Sequence, residues 1–205
     1  RDLSGTGWGM KFDFIIIHEA GHEWFANNIT YKDEADMWIH ESFTNYSESL
    51  FLDYHYGKEA GQAYVRGTRM NIVNDKPIIG DYGVNQRGSG DMYYKGGNLL
   101  NMLRQILQDD EKWRQILRGL NETFYHQTVT TAQVESYISK QMGLNLAKVF
   151  DQYLRDARIP IFEYYQQDGA LHYRWTSAVK DFDMVVDVLV NGSTKRLQPK
   201  TSWQK

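Results

Sequence analysis

Phe14-Ile15-Ile16-Ile17-His18-Glu19-Ala20-Gly21-His22 is the stretch on which the reading of this chain turns. Two histidines four apart fall on one face of an α-helix, one turn from each other, so both imidazoles can reach a single metal ion. Glu19 stands beside the first histidine and can address a water on that metal. The apolar run from Phe12 to Ile17 predicts a helix that is buried and keeps bulk water off the site. Five-residue patterns with two free positions recur by chance, so this one gains its weight from a carboxylate further along the chain. Glu41 lies nineteen positions after His22, inside Trp38-Ile39-His40-Glu41-Ser42-Phe43-Thr44, where a second helix is expected to begin.

Two imidazoles and a carboxylate are a nitrogen and oxygen donor set that suits zinc better than magnesium or calcium. Three protein ligands leave a fourth tetrahedral position for water, which is the arrangement of catalytic rather than structural zinc. The alternative for His18 and His22 is a pair of hydrogen-bonded core histidines. For Glu19 it is a solvated helix carboxylate. The rest of the composition is permissive. With 205 residues, 41% hydrophobic and 24% charged, the chain can bury a core of ordinary globular kind. A net charge of −3 with scattered basic residues gives no reason to expect nucleic-acid or anionic-membrane binding. The absence of cysteine excludes disulfides and thiolate metal sites. No run of eighteen apolar residues occurs, so no transmembrane helix is expected. The cellular compartment stays open.

The motifs resemble those of the gluzincin zinc aminopeptidases, the membrane alanyl aminopeptidase and leukotriene hydrolase type, whose signature is H-E-x-x-H, eighteen residues and a Glu. His22-Glu23-Trp24-Phe25-Ala26-Asn27 is similar to that family's H-x-W-F-G-N. Trp38 to Phe43 is similar to its W-L-N-E-G-F, and Tyr93-Tyr94-Lys95-Gly96 to its Y-x-K-G. The resemblance implies one zinc ion per chain, held by His18, His22 and Glu41, with Glu19 as general base. It registers Tyr93, not Tyr94, as the phenol that steadies the oxyanion. It implies an α+β, mainly α fold: a thermolysin-like helical catalytic lobe over residues 1–159, then the start of a small β-sandwich over 160–205. The function implied is a zinc metallopeptidase, an aminopeptidase that hydrolyses the N-terminal peptide bond of peptides with a metal-activated water. A gluzincin with another substrate (endopeptidase or epoxide hydrolase) and a zinc-binding but inactive fragment are the alternatives.

Departures from the family pattern bear on cleft shape. His40 stands where the family usually has Asn, Ser42 where it has Gly, and Ala26 where it has Gly. The family's Gly-x-Met-Glu-Asn loop, whose Glu grips the substrate's free amino terminus, has no match between Arg1 and Ile17. The expectation is an excised piece of a larger enzyme, with N-terminal and C-terminal domains outside it, that binds zinc yet works poorly as an aminopeptidase alone. Asn45 and Glu48, four and seven residues after Glu41, could orient a ligand histidine through its second nitrogen or simply form a polar surface. Trp24 and Trp38 read as core. His40, His55, His126 and His172 carry no partner pattern.

Periodicity and punctuation predict the elements. Helices are expected over Phe14–Asn27, Glu41–Tyr56 and Glu59–Val73, followed by a glycine-rich loop over residues 78–92. Further helices are expected over Lys95–Gln108, Glu111–Thr123, Thr131–Met142 and Leu146–Ala157. Thr130 or Thr131 offers an N-cap and Gly143 a C-terminal cap. After Pro160, turn signals at Asp168-Gly169 and Asn191-Gly192 predict two hairpins in one sheet of about four strands. The last strands would leave an unpaired edge.

Overall fold

The long amphipathic stretch after Met37 forms the organising element of the computed structural model, which describes residues Arg1–Lys205. Helix α2 runs Trp38–Tyr56 and ends at Gly57. Around it lie α1 (Phe14–Gly21), α3 (Lys58–Gly67) and α4 (Tyr94–Leu107). Helices α5 (Asp110–Thr123), α6 (Thr131–Met142) and α7 (Ala147–Arg155) complete the helical lobe. The architecture is α+β and mainly α. No helix is long and apolar enough to cross a membrane.

One buried cluster unites these helices, with Trp38, Phe43 and Tyr46 of α2 facing Leu100 and Leu103 of α4, Trp113 of α5 and Phe150 of α7. The three buried indoles find acceptors, as buried Trp must: Trp113 Nε1 donates to Tyr46 (3.2 Å), Trp38 Nε1 to Thr131 Oγ1 (2.6 Å) and Trp175 Nε1 to the Met184 carbonyl (2.9 Å). The start of α6 is held by a capping box between Thr130 and Gln133, and its end by Gly143 in the left-handed region (φ 71). The α4–α5 corner is pinned by Arg104, which donates to Asp53 (2.5 Å) and Asp110 (2.8 Å).

Several findings depart from the sequence expectations, one being that α3 stops at Gly67 rather than Val73, because the chain tightens into a 3-10 turn over Thr68–Asn71. Helix α1 stops at Gly21, not Asn27, because residues 23–28 form a wide irregular turn in which Phe25 leaves helical dihedrals (φ −121, ψ 69). Phe25 instead stacks on Phe43, ring centroids 4.5 Å apart. The outer face of α1 is not buried: Ile16 is 62% exposed and Ile15 is exposed with it. Trp24, expected in the core, is 55% exposed, whereas Trp38 is fully buried. Finally, the region after Pro160 is not one four-stranded sheet. Strands β3 (Ile161–Gln167) and β4 (Ala170–Thr176) form one antiparallel ribbon, β5 (Val186–Val190) and β6 (Ser193–Leu197) another. Both turns sit where expected, with positive φ at Asp168-Gly169 and Asn191-Gly192.

The ribbons lean on the helices rather than on each other's edges. Trp175 and Phe182 belong to the same buried cluster as the helical lobe, and Arg196 donates to the Ile106 carbonyl at the end of α4 (2.7 Å). A short parallel pair, β1 (Ile29–Tyr31) with β2 (Gln127–Val129), was not expected. Three-residue strands carry too little alternation to be read from sequence.

Candidate metal centre

His18 and His22 project from α1 toward α2, where Glu41 sits in the first turn. Their donor atoms converge: His18 Nε2 lies 3.1 Å and His22 Nε2 3.8 Å from Glu41 Oε2. All three ligand atoms fall within 4.8 Å of one another. Zinc ligands at 2.0–2.1 Å in a tetrahedral array sit about 3.3 Å apart, so the two measured spacings bracket the separation that zinc requires. The donor set fits the metal.

Each imidazole is oriented by its other nitrogen, leaving Nε2 turned to Glu41. His18 Nδ1 is 3.0 Å from Glu48 Oε1 and donates to that carboxylate. His22 Nδ1 donates to the Phe25 carbonyl at 3.0 Å. The irregular turn after α1 therefore has a purpose in the site, since a continuing helix would point that carbonyl along its own axis. Glu48, fully buried, also accepts from Asn45 Nδ2 (3.1 Å) and from the Tyr64 hydroxyl (2.5 Å). Thr44 Oγ1 approaches His18 Nε2 at 3.1 Å.

The electrostatics call for a cation. Burial works against charge on His18, yet the carboxylates of Glu41 and Glu48 outweigh it and push the imidazole up to about 9. Burial raises Glu41, but His18 and His22 more than offset it and hold the carboxyl below its usual range. A proton does in the metal-free chain what a divalent cation would do better, because one ion satisfies both imidazoles and the carboxylate together. His40, by contrast, is buried and pushed down to about 4, first by burial and then by His22. Its Nε2 accepts from the Tyr31 N–H (3.0 Å), so it ties β1 to α2 and is not a ligand.

Tyr93 reaches the same cleft from the N-terminal end of α4, its ring 5.8 Å from that of His18. Close helix approach puts it there. A Cβ on Gly96 would run into Ser42 Oγ and Cβ, and one on Gly97 into Asn45 Oδ1. Two glycines thus let α4 press against α2 beside the ligands, and Ser42 Oγ donates to the Met92 carbonyl (2.7 Å) across that contact. Burial, then the charge of Glu41, raises the Tyr93 phenol above its ordinary value, so it remains a proton donor at neutral pH. A cavity of about 290 Å³ brings together His18, Glu19, Glu41, Glu48, Tyr93 and Tyr94 beneath the apolar wall of Leu3, Phe14 and Ile15. No lysine or arginine lines it. A wider groove of about 780 Å³ between residues 23–28 and the end of α5 contains none of the three ligand residues.

Of the site residues singled out from sequence, His18, Glu19, Glu41 and Tyr93 line this cavity together with Asn45 and Glu48, and His22 meets them through Glu41. Thr44, the Phe25 carbonyl and Tyr64 were not anticipated. Tyr64 sits on α3, with nothing in its spacing to tie it to the histidines. His55, His126 and His172 lie outside the cleft.

The helical lobe brings two histidines and a glutamate together from adjoining helices, a donor set that could hold a metal ion, with a second glutamate and a tyrosine on the same cleft. The family follows from comparison: residues 10–153 match the Peptidase family M1 domain, and the chain belongs to that family. Endoplasmic reticulum aminopeptidase 1 of Mus musculus is 27% identical over 138 residues, 62% of this chain and 15% of that protein. Aminopeptidase N of Lactobacillus helveticus is 27% identical over 177 residues, 77% of this chain and 20% of that protein. Among solved structures, the M1 zinc metallopeptidase from Deinococcus radiodurans superposes with a TM-score of 0.61 at 23% identity, over 73% of this chain and 34% of that one. The chain thus spans about a fifth or less of the curated relatives named here.

Proposed function

We propose that this chain carries the catalytic centre of a zinc-dependent aminopeptidase, with one zinc ion per chain held by His18, His22 and Glu41. The observation that carries the reading is the convergence of those three donor atoms within 4.8 Å on a cleft shared with Glu19 and Tyr93. When bound, zinc supplies Lewis acidity, polarising a carbonyl and lowering the pKa of a water toward about 7. Glu19, exposed on the cleft side of α1, takes the proton of the attacking water on its carboxylate and passes it to the departing amine. The Tyr93 hydroxyl donates to the carbonyl oxygen as negative charge develops there, where a preformed donor counts most. The substrate is a peptide with a free amino terminus. Support comes from a cavity lined by the carboxylates of Glu19, Glu41 and Glu48 and by no lysine or arginine, which favours a cationic amine. The helical part reads as a thermolysin-like catalytic lobe over 1–159, and 160–205 as the start of a β-domain in a longer parent chain.

The deciding experiment sets zinc-loaded protein against a panel of aminoacyl-anilides and the N-acetylated form of a matching peptide. Release of the first residue, abolished by N-acetylation, supports the reading. Internal cleavage of the blocked peptide would make the chain an endopeptidase. Stoichiometric zinc without turnover would leave it a metal-binding module.

A further inference from the structure

Glu48 is sealed from water, with a side chain 1% exposed, and a buried carboxylate is stable only when its oxygens are paired. Its Oε1 receives His18 Nδ1 at 3.0 Å and Asn45 Nδ2 at 3.1 Å. Its Oε2 receives the Tyr64 hydroxyl at 2.5 Å. Without that phenol one charged oxygen would be left bare in the interior, and the carboxylate could regain a partner only by rotating away from His18.

Tyr64 comes from α3, a helix that contributes no residue to the cleft. Its placement is nonetheless rigid. Gly61, one turn earlier, lies so close to α2 that a Cβ there would meet the Ser49 carbonyl at 2.7 Å. Ser49 Oγ in turn donates to the Gly61 carbonyl at 3.0 Å. Phe12, just ahead of α1, packs edge-on against the Tyr64 ring with centroids 5.3 Å apart. Burial and the Glu48 charge push the phenol far above its ordinary range, so it stays a donor.

We propose that Tyr64 is a positioning residue for the metal: with Asn45 it clamps the Glu48 carboxylate, which fixes the ring of His18 for zinc. The inference rests on reading His18 as a zinc ligand, and it extends that site by one layer, from α3 through α2 to α1. Partners behind a metal-bound histidine typically govern metal affinity by 10–100-fold.

The test measures zinc dissociation constants by competition with a chromophoric chelator, and the visible spectrum of the cobalt(II)-loaded chain. Tyr64→Phe should weaken zinc about tenfold, the low end of that range because it acts at one remove, and Glu48→Gln should weaken it 10–100-fold. The double variant should match Glu48→Gln alone, since the phenol acts only through that carboxylate. Tyr46→Phe, which removes another buried hydroxyl, should change neither affinity nor spectrum, whereas Tyr64→Phe should shift the cobalt bands. Unchanged zinc affinity and cobalt bands in Tyr64→Phe, or additive losses in the double variant, would overturn the proposal. Should Tyr64→Phe not fold, Asn45→Ala tests the other arm of the clamp, and unchanged affinity there and in Glu48→Gln overturns it equally. A wild type that takes up no zinc, or a His18→Ala variant that binds it as tightly as wild type, would remove the underlying site. Normal zinc binding with an indifferent Tyr64→Phe would remove the clamp alone.

Discussion

At the residue scale the site separates ligand from reagent. Glu19 follows His18 on α1 yet is not among the converging donors, so its loss should leave the metal in place. Glu19→Gln is expected to bind zinc as wild type while kcat falls by 10²–10⁴-fold, the range of general-base contributions. Metal analysis alongside turnover checks this, and loss of zinc in the variant would mean that Glu19 is a ligand. Tyr93 and Tyr94 both line the cavity, so the two phenols compete for one role. The ring of Tyr93 stands by His18, and its phenol feels Glu41, whereas that of Tyr94 feels Glu48. Tyr93→Phe should therefore lower kcat with KM nearly unchanged, as for a contact made mainly in the transition state. A larger kcat loss in Tyr94→Phe would reverse the assignment.

At the element scale the cleft depends on how closely α4 meets α2. Ser42 is fully buried and its hydroxyl is committed to the Met92 carbonyl, so it cannot swing aside for an added methyl group. Gly96→Ala should cost roughly 1–3 kcal/mol of stability by overpacking and lower kcat by displacing Tyr93, less than one turn earlier on the chain. Ser42→Gly in the same chain should restore both, because it removes the side chain that the new Cβ meets. Denaturant titration and kinetics on the single and double variants check this; a Gly96→Ala chain as stable as wild type would show that the helices are not in limiting contact. This contact also marks what could be read from sequence. Apolar spacing located α2 and α4 to α7 within about three residues but ran α3 on to Val73, past its end at Gly67, and the Asp168-Gly169 and Asn191-Gly192 turns were visible through their left-handed residues. The juxtaposition of His18 and His22 was legible because a helix converts spacing of four into adjacency. Tyr64, Thr44 and the Phe25 carbonyl were not, since their roles arise from packing between elements and from a local break in α1. The exposed face of α1 was misread for a related reason: apolar residues alone do not say whether anything packs on them.

At the scale of the whole molecule, the site is one of the links between α1 and α2. The outer face of α1 is open to solvent, and on its inner face His18 and His22 meet Glu41 of α2. In the metal-free chain the His18 imidazole and the Glu41 carboxylate lie 3.1 Å apart. A metal ion that coordinates all three side chains would bridge the two helices, and whatever binds only the folded state stabilises it by mass action. At free zinc a thousandfold above its dissociation constant this amounts to about 4.1 kcal/mol. For a chain of this length about 1 kcal/mol moves the melting temperature by roughly 2–4 °C, so chelation should lower it by roughly 8–16 °C. The same treatment should leave His22→Ala almost unmoved. Hydrogen exchange should find the added protection in α1 and in the first turns of α2, with α5 and α6 unaffected. A wild-type melting temperature indifferent to chelator, in a chain shown to hold zinc beforehand, would mean that the ion does not join α1 to α2, and the assignment of His18, His22 and Glu41 would fail with it.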